Sequence, residues 1–496
     1  MSIKETTMTT TSTADHRQNQ TAAILLGGRM ETGAGEPLPV VNPATGESAG
    51  FCGTASVAQV DEAITLAGRA LTESGWGAWE PHRRAAVLHA IHDAILADLD
   101  RIAGLQMLEN GKTRAESQAQ AKAAAGVFRY YAGVCETLQE EMPPARGSYF
   151  TMTVHEPLGV VAALVPWNSP LTMGAQKIAP ALAAGNAVVL KPAESTSLVS
   201  LALGEACVAG GLPEGLLSIL PGRADVGGAM VANPNVGCVS FTGGTGTGQR
   251  IAATAAERLV PTILELGGKS PHVVFGDADL PAAARAVASG IFGGTGQSCV
   301  AGSRLFVQQD VLDDFRALLV AETARFVVGP PTDPGSVIGP LASFDQRARV
   351  EHYVAKGLEE GGHVIAGGAR PEGEEFAGGA YYLPTILGGL DNRSTVAQEE
   401  IFGPVLVMMP FDTEEDLVAQ ANDSAFGLAS GIWTADYKKA WRVARALQAG
   451  TVWINTYKQL SIAAPFGGFK LSGLGREKGI QGLRAYQQTK SIYWGL

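Results

Sequence analysis

The stretch VVAALVPWNSPLTMGAQKIAPALAAGNAVVLK, Val160 to Lys191, decides the fold. It opens on six apolar residues, Val160 to Val165, and ends on AVVLK, Ala187 to Lys191. Between them, after a Trp-Asn-Ser-Pro turn, the segment around Met173 to Ala184 reads as a helix. Short apolar runs joined by a helix are the pattern of parallel strands buried on both faces, with right-handed crossovers. The alternation continues outward through a helix ending at Gly210-Gly211, then LLSIL (Leu216 to Leu220), VGCVSFTG (Val236 to Gly243) and TILELGG (Thr262 to Gly268). A second set follows, with strands near HVVF (His272 to Phe275) and RLFVQ (Arg304 to Gln308) and helices over Val311 to Phe326 and Gln346 to Glu360. The predicted class is α/β: two α/β units that share a seam.

The flanks read differently. From about residue 55 to 135 apolar residues recur at helical spacing, as in VDEAITLAGRAL (Val60 to Leu71) and HRRAAVLHAIHDAILADL (His82 to Leu99). In EMPPARGSYFTMTVHEPLG, Pro143, Pro144 and Gly147 precede alternating Tyr149, Thr151, Thr153 and His155, which suggests a hairpin ribbon leaving the main body. QQTKSIYWGL (Gln487 to Leu496) reads as a strand with costly exposed rings, and is expected to pair with the ribbon of another subunit. The threonine-rich residues 1–20 read as a mobile tail.

Composition narrows the function classes. A chain of 496 residues with 46% hydrophobic and 17% charged residues buries a large core, which excludes disorder throughout. Thirty-seven basic against 48 acidic residues give a net charge of −11, which argues against nucleic acid as a partner. Cys52, Cys135, Cys207, Cys238 and Cys299 are far apart, with no zinc-type spacing, as in a reducing compartment. No apolar run reaches the roughly twenty residues a membrane crossing needs. The expectation is a soluble, cytoplasmic protein without a metal.

Four segments hold residues suited to chemistry. In GGTGQSCVAGSR (Gly293 to Arg304), Cys299 sits among glycines and small polar residues that permit close approach; either it is a nucleophile, which requires a thiolate or a nearby base, or a buried structural thiol. The other four cysteines read as structural. LELGGKS (Leu264 to Ser270) ends a strand with Glu265 before paired glycines, so Glu265 is a general base toward water or a solvated carboxylate, and Lys269 reads as structural. FTGGTGTGQRIAATA (Phe241 to Ala255) is a strand, a glycine-rich turn and a helix start, able to hold a pyrophosphate; it departs from both the Walker and the strict G-x-G-x-x-G spacings. Upstream, Lys191 and Glu194 in LKPAE suit ribose hydroxyls, and a carboxylate there disfavours a 2′-phosphate, hence NAD over NADP. In VPWNSP (Val165 to Pro170), Asn168 is a turn former or a fixed neutral donor to an oxyanion.

Taken together and in order with EEIFGPV (Glu399 to Val405) and PFGGFKLSG (Pro465 to Gly473), these segments resemble the aldehyde dehydrogenase superfamily from about residue 22 onward. The resemblance implies a Rossmann-like cofactor domain over residues 21–140 and 159–270, a catalytic domain over 271–470, and a β oligomerisation element from 141–158 and 485–496. A homodimer or homotetramer is implied, with an aldehyde as substrate and no membrane or nucleic-acid partner. By matching motifs, Cys299 is the nucleophile, Glu265 the base, and Asn168 with the Cys299 N–H the oxyanion hole. Lys177 lies on a proton path near that base. Lys191 and Glu194 hold the adenosine ribose. Trp167 and Gly243 to Gly248, with Thr245 among them, border the cofactor, while Glu400 and Phe402 position its nicotinamide end.

The sequence departs from the commoner pattern around the substrate. Ser169, Gln176 and Leu460 replace frequent aromatic residues, and only Phe466 keeps its ring, which predicts a wider, partly polar tunnel for a bulky or functionalised aldehyde. Three other readings stay open. Coenzyme A-acylating oxidation would not need Glu265; a non-catalytic protein would not need both Cys299 and Glu265; a thiol esterase would not need a nicotinamide.

Overall fold

A computed structural model describes residues 23–496, so the expected tail over residues 1–20 lies outside the described residues. Val160–Leu164 is a strand with all five residues buried, flanked in parallel by Ala187–Lys191 and Val236–Thr242. The sheet extends in parallel to Leu217–Ile219 on one side and Thr262–Glu265 on the other. Antiparallel edge strands bring it to eight, with Gly473–Leu474 returning from near the carboxyl end to pair with Leu264 and Glu265. This is the α/β reading of the sequence, and it holds because valine- and leucine-rich runs lose water on both faces only inside such a sheet.

A second sheet of seven strands runs in the order His363–Ala366, Thr385–Gly388, Val405–Phe411, Arg304–Gln308, Pro271–Val274, Ala429–Trp433 and Thr451–Ile454. Every pairing is parallel except that of the edge strand His363–Ala366. The chain passes from the first sheet to the second through Leu266 to Ser270 alone, between Thr262–Glu265 and Pro271–Val274.

The helical stretch is four helices: Val57–Ser74, Pro81–Ala97, Leu99–Asn110 and Arg114–Thr137. Gly75 and Gly111 end two of them at φ +65° and +73°, a conformation side-chain-bearing residues avoid. Capping boxes at Ser56 with Gln59 and Thr113 with Glu116 start two more turns by satisfying free N–H groups. These helices cover the first sheet. Trp76, fully buried between them, donates its Nε1 proton to the Leu182 carbonyl at 3.0 Å.

The ribbon differs from its expectation. Tyr149–Pro157 pairs antiparallel with Gln487–Gly495 of the same chain, from Gln487 opposite Pro157 to Gly495 opposite Tyr149. A local return is limited to the bridge between Glu141 and Thr153. The reason is an anchor: Tyr486 is buried, and its carbonyl accepts from Leu158 N and Asn186 Nδ2 at 3.3 and 3.0 Å. The terminal strand therefore starts beside its own ribbon. Trp494 stacks on Phe150, yet Tyr493 and Trp494 remain 66% and 63% exposed.

Among the described residues no helix is long and apolar enough to cross a membrane. Buried His272 carries a pH consequence. Its Nε2 accepts from Trp433 Nε1 at 3.0 Å, its ring stacks on Tyr457, and burial, helped by the Lys458 charge, pushes its pKa down to about 3. The unfolded histidine takes a proton near 6.5, so its share of stability is present above that value and is lost as pH falls toward 3. Chemical denaturation should lose roughly 1.4 kcal/mol per pH unit from this group below pH 6.5, and His272→Asn should flatten that slope.

Candidate active site

The cysteine loop is fixed from several sides. Helix Leu280–Phe292 ends at Gly293, and the loop crosses to strand Arg304–Gln308. Thr295, at φ +56°, is held by its Oγ1 bond to the Gly339 carbonyl at 3.1 Å; Gln297 Oε1 accepts from Ala342 N at 2.9 Å. The Gln297 carbonyl accepts one amide proton of Asn168 at 3.0 Å, which leaves the second N–H of that amide for a ligand. Asn168 stands after strand Val160–Leu164, where Asn110 Nδ2 bonds the Trp167 carbonyl at 2.7 Å.

Cys299 is half-buried and lines a cleft of about 480 Å³, whereas Cys52, Cys135, Cys207 and Cys238 are buried elsewhere. Burial first, then Glu400 and Glu265, push the Cys299 thiol up to about 12, against Lys478 and Lys458. Burial thus favours the thiol over the thiolate, so of the two conditions for a nucleophile, a thiolate or a nearby base, the second is the one that matters here. Its reactivity requires a proton acceptor.

Glu265 stands in the same cleft. It is 4% exposed, and neither carboxyl oxygen has a hydrogen-bond partner. Burial, then the Glu477 charge, raise its pKa well above the ordinary carboxylate range, opposed by Lys177, Arg476 and Lys478. Lys177 does not line the cleft. It is sealed behind it, its Nζ 2.6 Å from Glu477 Oε1 and 3.0 Å from Ser240 Oγ. Glu477, which does line the cleft, links that ammonium to the space around Glu265.

Gly267 and Gly268 draw these parts together. A Cβ at Gly267 would lie 2.4 Å from Glu400 Oε2, and one at Gly268 would lie 2.4 Å from the Cys299 carbonyl. Gly268 N donates to Glu400 Oε1 at 2.9 Å. Arg349 Nη2 and Gln346 Nε2 hold the following turn through the carbonyls of Glu400 and Phe402. Phe402 is thereby kept at φ +62°, edge to face with Trp167 at 5.3 Å. A bulky residue in that region is strained, and such strain concentrates at functional sites.

The cleft therefore gathers Trp167, Asn168, Ser169, Gln176, Gly243, Glu265, Cys299, Glu400, Phe402, Leu460 and Phe466. Lys177, Lys191, Glu194, Thr245 and Gly248 are outside its lining. Lys191 ends a strand beside Glu194 and bonds the Pro192 carbonyl at 3.1 Å. Sequence reasoning missed Glu477 and Lys478, because Arg476-Glu477-Lys478 has the look of a solvated charge run. It also missed Gln346 and Arg349, whose helix carries no motif.

The residues suit a dinucleotide. Gly243 and Gly244 border the cleft, and helix Thr245–Ala256 begins there without a side-chain cap. By contrast, the start of helix Ser197–Ala209 is already filled by buried Glu109, which accepts from Leu198 N and Val199 N at 2.8 Å. Thr242 Oγ1 is buried in the cleft wall without a partner. No group of three metal-ligating side chains occurs among the described residues.

Known proteins resemble this chain over nearly its whole length. The pattern of the aldehyde dehydrogenase family matches residues 30–492. A betaine aldehyde dehydrogenase of Cereibacter sphaeroides is 40% identical over 482 residues, covering 97% of this chain and 98% of its own. Among solved structures, an indole-3-acetaldehyde dehydrogenase of P. syringae, in complex with NAD+ and IAA, is 35% identical with a TM-score of 0.94, covering 97% and 99% of the two chains. A betaine aldehyde dehydrogenase of Staphylococcus aureus, in complex with NAD+, is 34% identical with a TM-score of 0.94, covering 97% and 96%. The chain belongs to the aldehyde dehydrogenase family.

The sealed Lys177–Glu477 pair generates a stability test. Lys177→Met should cost about 3–5 kcal/mol in urea unfolding, because it strands a buried carboxylate. Replacing both partners by apolar residues should recover much of that loss.

Proposed function

We propose that this enzyme oxidises an aldehyde to the carboxylic acid with NAD as acceptor, through a covalent intermediate on Cys299. The observation that carries the reading is one cleft holding Cys299, the unpartnered Glu265 carboxyl and the Asn168 amide pinned to the cysteine loop. The Cys299 sulfur, losing its proton to solvent in the open cleft, bonds to the aldehyde carbon, and the former carbonyl oxygen becomes an oxyanion. Asn168 and the Cys299 N–H donate to that oxygen more strongly as its charge grows. When bound, NAD supplies the acceptor for the hydride that leaves the carbon. The oxidised carbon is then a thioester. Glu265, raised by burial, takes a proton from water; the resulting hydroxide adds to the thioester and the sulfur departs as the leaving group. Lys177 and Glu477 give that proton a route away from Glu265.

Trp167, Gly243 to Gly248 and Thr245 border the dinucleotide in this reading, Lys191 and Glu194 take the adenosine ribose, and Glu400 with Phe402 orients the nicotinamide end. Glu194 repels a 2′-phosphate, so NADP is the poorer acceptor. Ser169, Gln176 and Leu460 widen the substrate end beside Phe466. The exposed rings of the ribbon Tyr149–Pro157 and Gln487–Gly495 support a homo-oligomer, and the five unpaired thiols support a cytoplasmic location.

An aldehyde panel with NAD and NADP, following reduced cofactor and free acid without coenzyme A, tests the reading. Acid should form with NAD and without coenzyme A. Asn168→Ala should lower kcat by on the order of 10²–10³. Glu265→Gln should release one burst of reduced cofactor per site and then stall, and turnover at the parent rate would refute its role as base.

A further inference from the structure

The substrate end of the cleft holds a cation that the proposed chemistry leaves unused. Lys478 is only 6% exposed, yet it lines the cleft with its ammonium 4.6 Å from the centre of the Phe466 ring. Among the described residues its ammonium makes no ion pair and no hydrogen bond. It is also held at φ +62°, a conformation lysine rarely adopts, so its position is fixed by the surrounding fold. The other charges are answered. Glu477 belongs to Lys177 at 2.6 Å, and Glu400 is bonded by Gly268 N beside the Trp167 and Phe402 rings. Glu477 and Glu265 act on the Lys478 ammonium electrostatically, without a hydrogen bond to it. A second ammonium, Lys458, lies two residues before Leu460 at φ +55° and acts electrostatically on the Cys299 sulfur.

The ammonium faces the cleft near two carboxylates, one already paired to Lys177, and the ligand group that would pair with it directly is an anion. A quaternary ammonium needs the opposite environment, an aromatic cage with open ring faces. Here Ser169, Gln176 and Leu460 offer none, Trp167 and Phe402 meet edge to face, and the Phe466 ring already has Lys478 over it.

We infer that the substrate is an aldehyde carrying a carboxylate at the end remote from its carbonyl, received by Lys478, and that a cationic betaine-type aldehyde is disfavoured. The inference rests on the proposed aldehyde oxidation at Cys299 and names the substrate class of that site. Lys478 acts as a specificity residue. Its ammonium pairs with the carboxylate and draws the carbonyl carbon toward the sulfur, whereas a trimethylammonium group would meet like charge.

The test compares kcat/KM for succinic semialdehyde, butyraldehyde and betaine aldehyde, with NAD, in the parent, Lys478→Gln and Lys478→Arg. In the parent the acid should exceed the neutral aldehyde by about ten- to a hundred-fold, the range of a charge-assisted contact, and the cation should be poorest. Lys478→Gln should collapse the acid-to-neutral ratio toward one, and Lys478→Arg should keep most of it. A ratio is read within each variant, so a general loss of activity does not mimic the effect. Betaine aldehyde equal to or better than the acid in the parent overturns the inference, whether or not the variants fold. A ratio unchanged in folded Lys478→Gln also overturns it. Oxidation of none of the aldehydes would instead refute the proposed activity.

Discussion

The close approach at Gly267 and Gly268 is the constraint on which the rest depends. These residues lie in the first of the chain's two passages between the sheets, and they leave no room for a side chain against Glu400 or the Cys299 carbonyl. The carboxyl end of the first sheet, the cysteine loop and the Glu399–Val405 turn thus share one contact point. A methyl group there would push apart the elements carrying Glu265, Cys299 and Glu400. Preorganised sites tolerate errors of well under an ångström, so the two glycines act through geometry.

Around that point the polar groups fall into two kinds. Some are satisfied and rigid: Asn168 on Gln297, Glu400 on Gly268, Lys177 on Glu477. Others are buried and unanswered, the Glu265 oxygens and Thr242 Oγ1, and the Lys478 ammonium faces the cleft without a hydrogen bond. Folding pays an energetic cost for the second kind, and such groups gather where a ligand completes them. The upward shift of the Cys299 thiol follows from the same burial. A site dry enough to strengthen the Asn168 contact also disfavours a lone thiolate.

The fold was legible because burial on both faces writes itself into the sequence as apolar runs. Val160–Leu164, Val236–Thr242 and Arg304–Gln308 fall where those runs predict them. Helix ends were less legible: one apolar periodicity covers four helices, whose breaks depend on single residues such as Gly75 and Gly111. The partner of the ribbon was not legible, since alternation marks a strand without naming its neighbour, and the neighbour is chosen by the buried Tyr486 carbonyl. In the site, residues embedded in glycine-rich motifs could be found as candidates because the motifs encode close approach. Glu477 and Lys478 could not: their burial comes from a chain reversal some three hundred residues after the segment they face, and only tertiary packing turns a charged tripeptide inward.

That late reversal has a temporal side. Glu477 and the strand Gln487–Gly495 belong to the last twenty of 496 residues, whereas Lys177 and Tyr149–Pro157 are made in the first half. During synthesis the early sheet can collapse with its lysine lacking a counterion and its ribbon lacking a mate. The nascent polypeptide is thus kept incomplete at its reactive centre until some three hundred further residues follow Lys177, and loss of the segment from Glu477 onward removes that counterion and the ribbon's mate together.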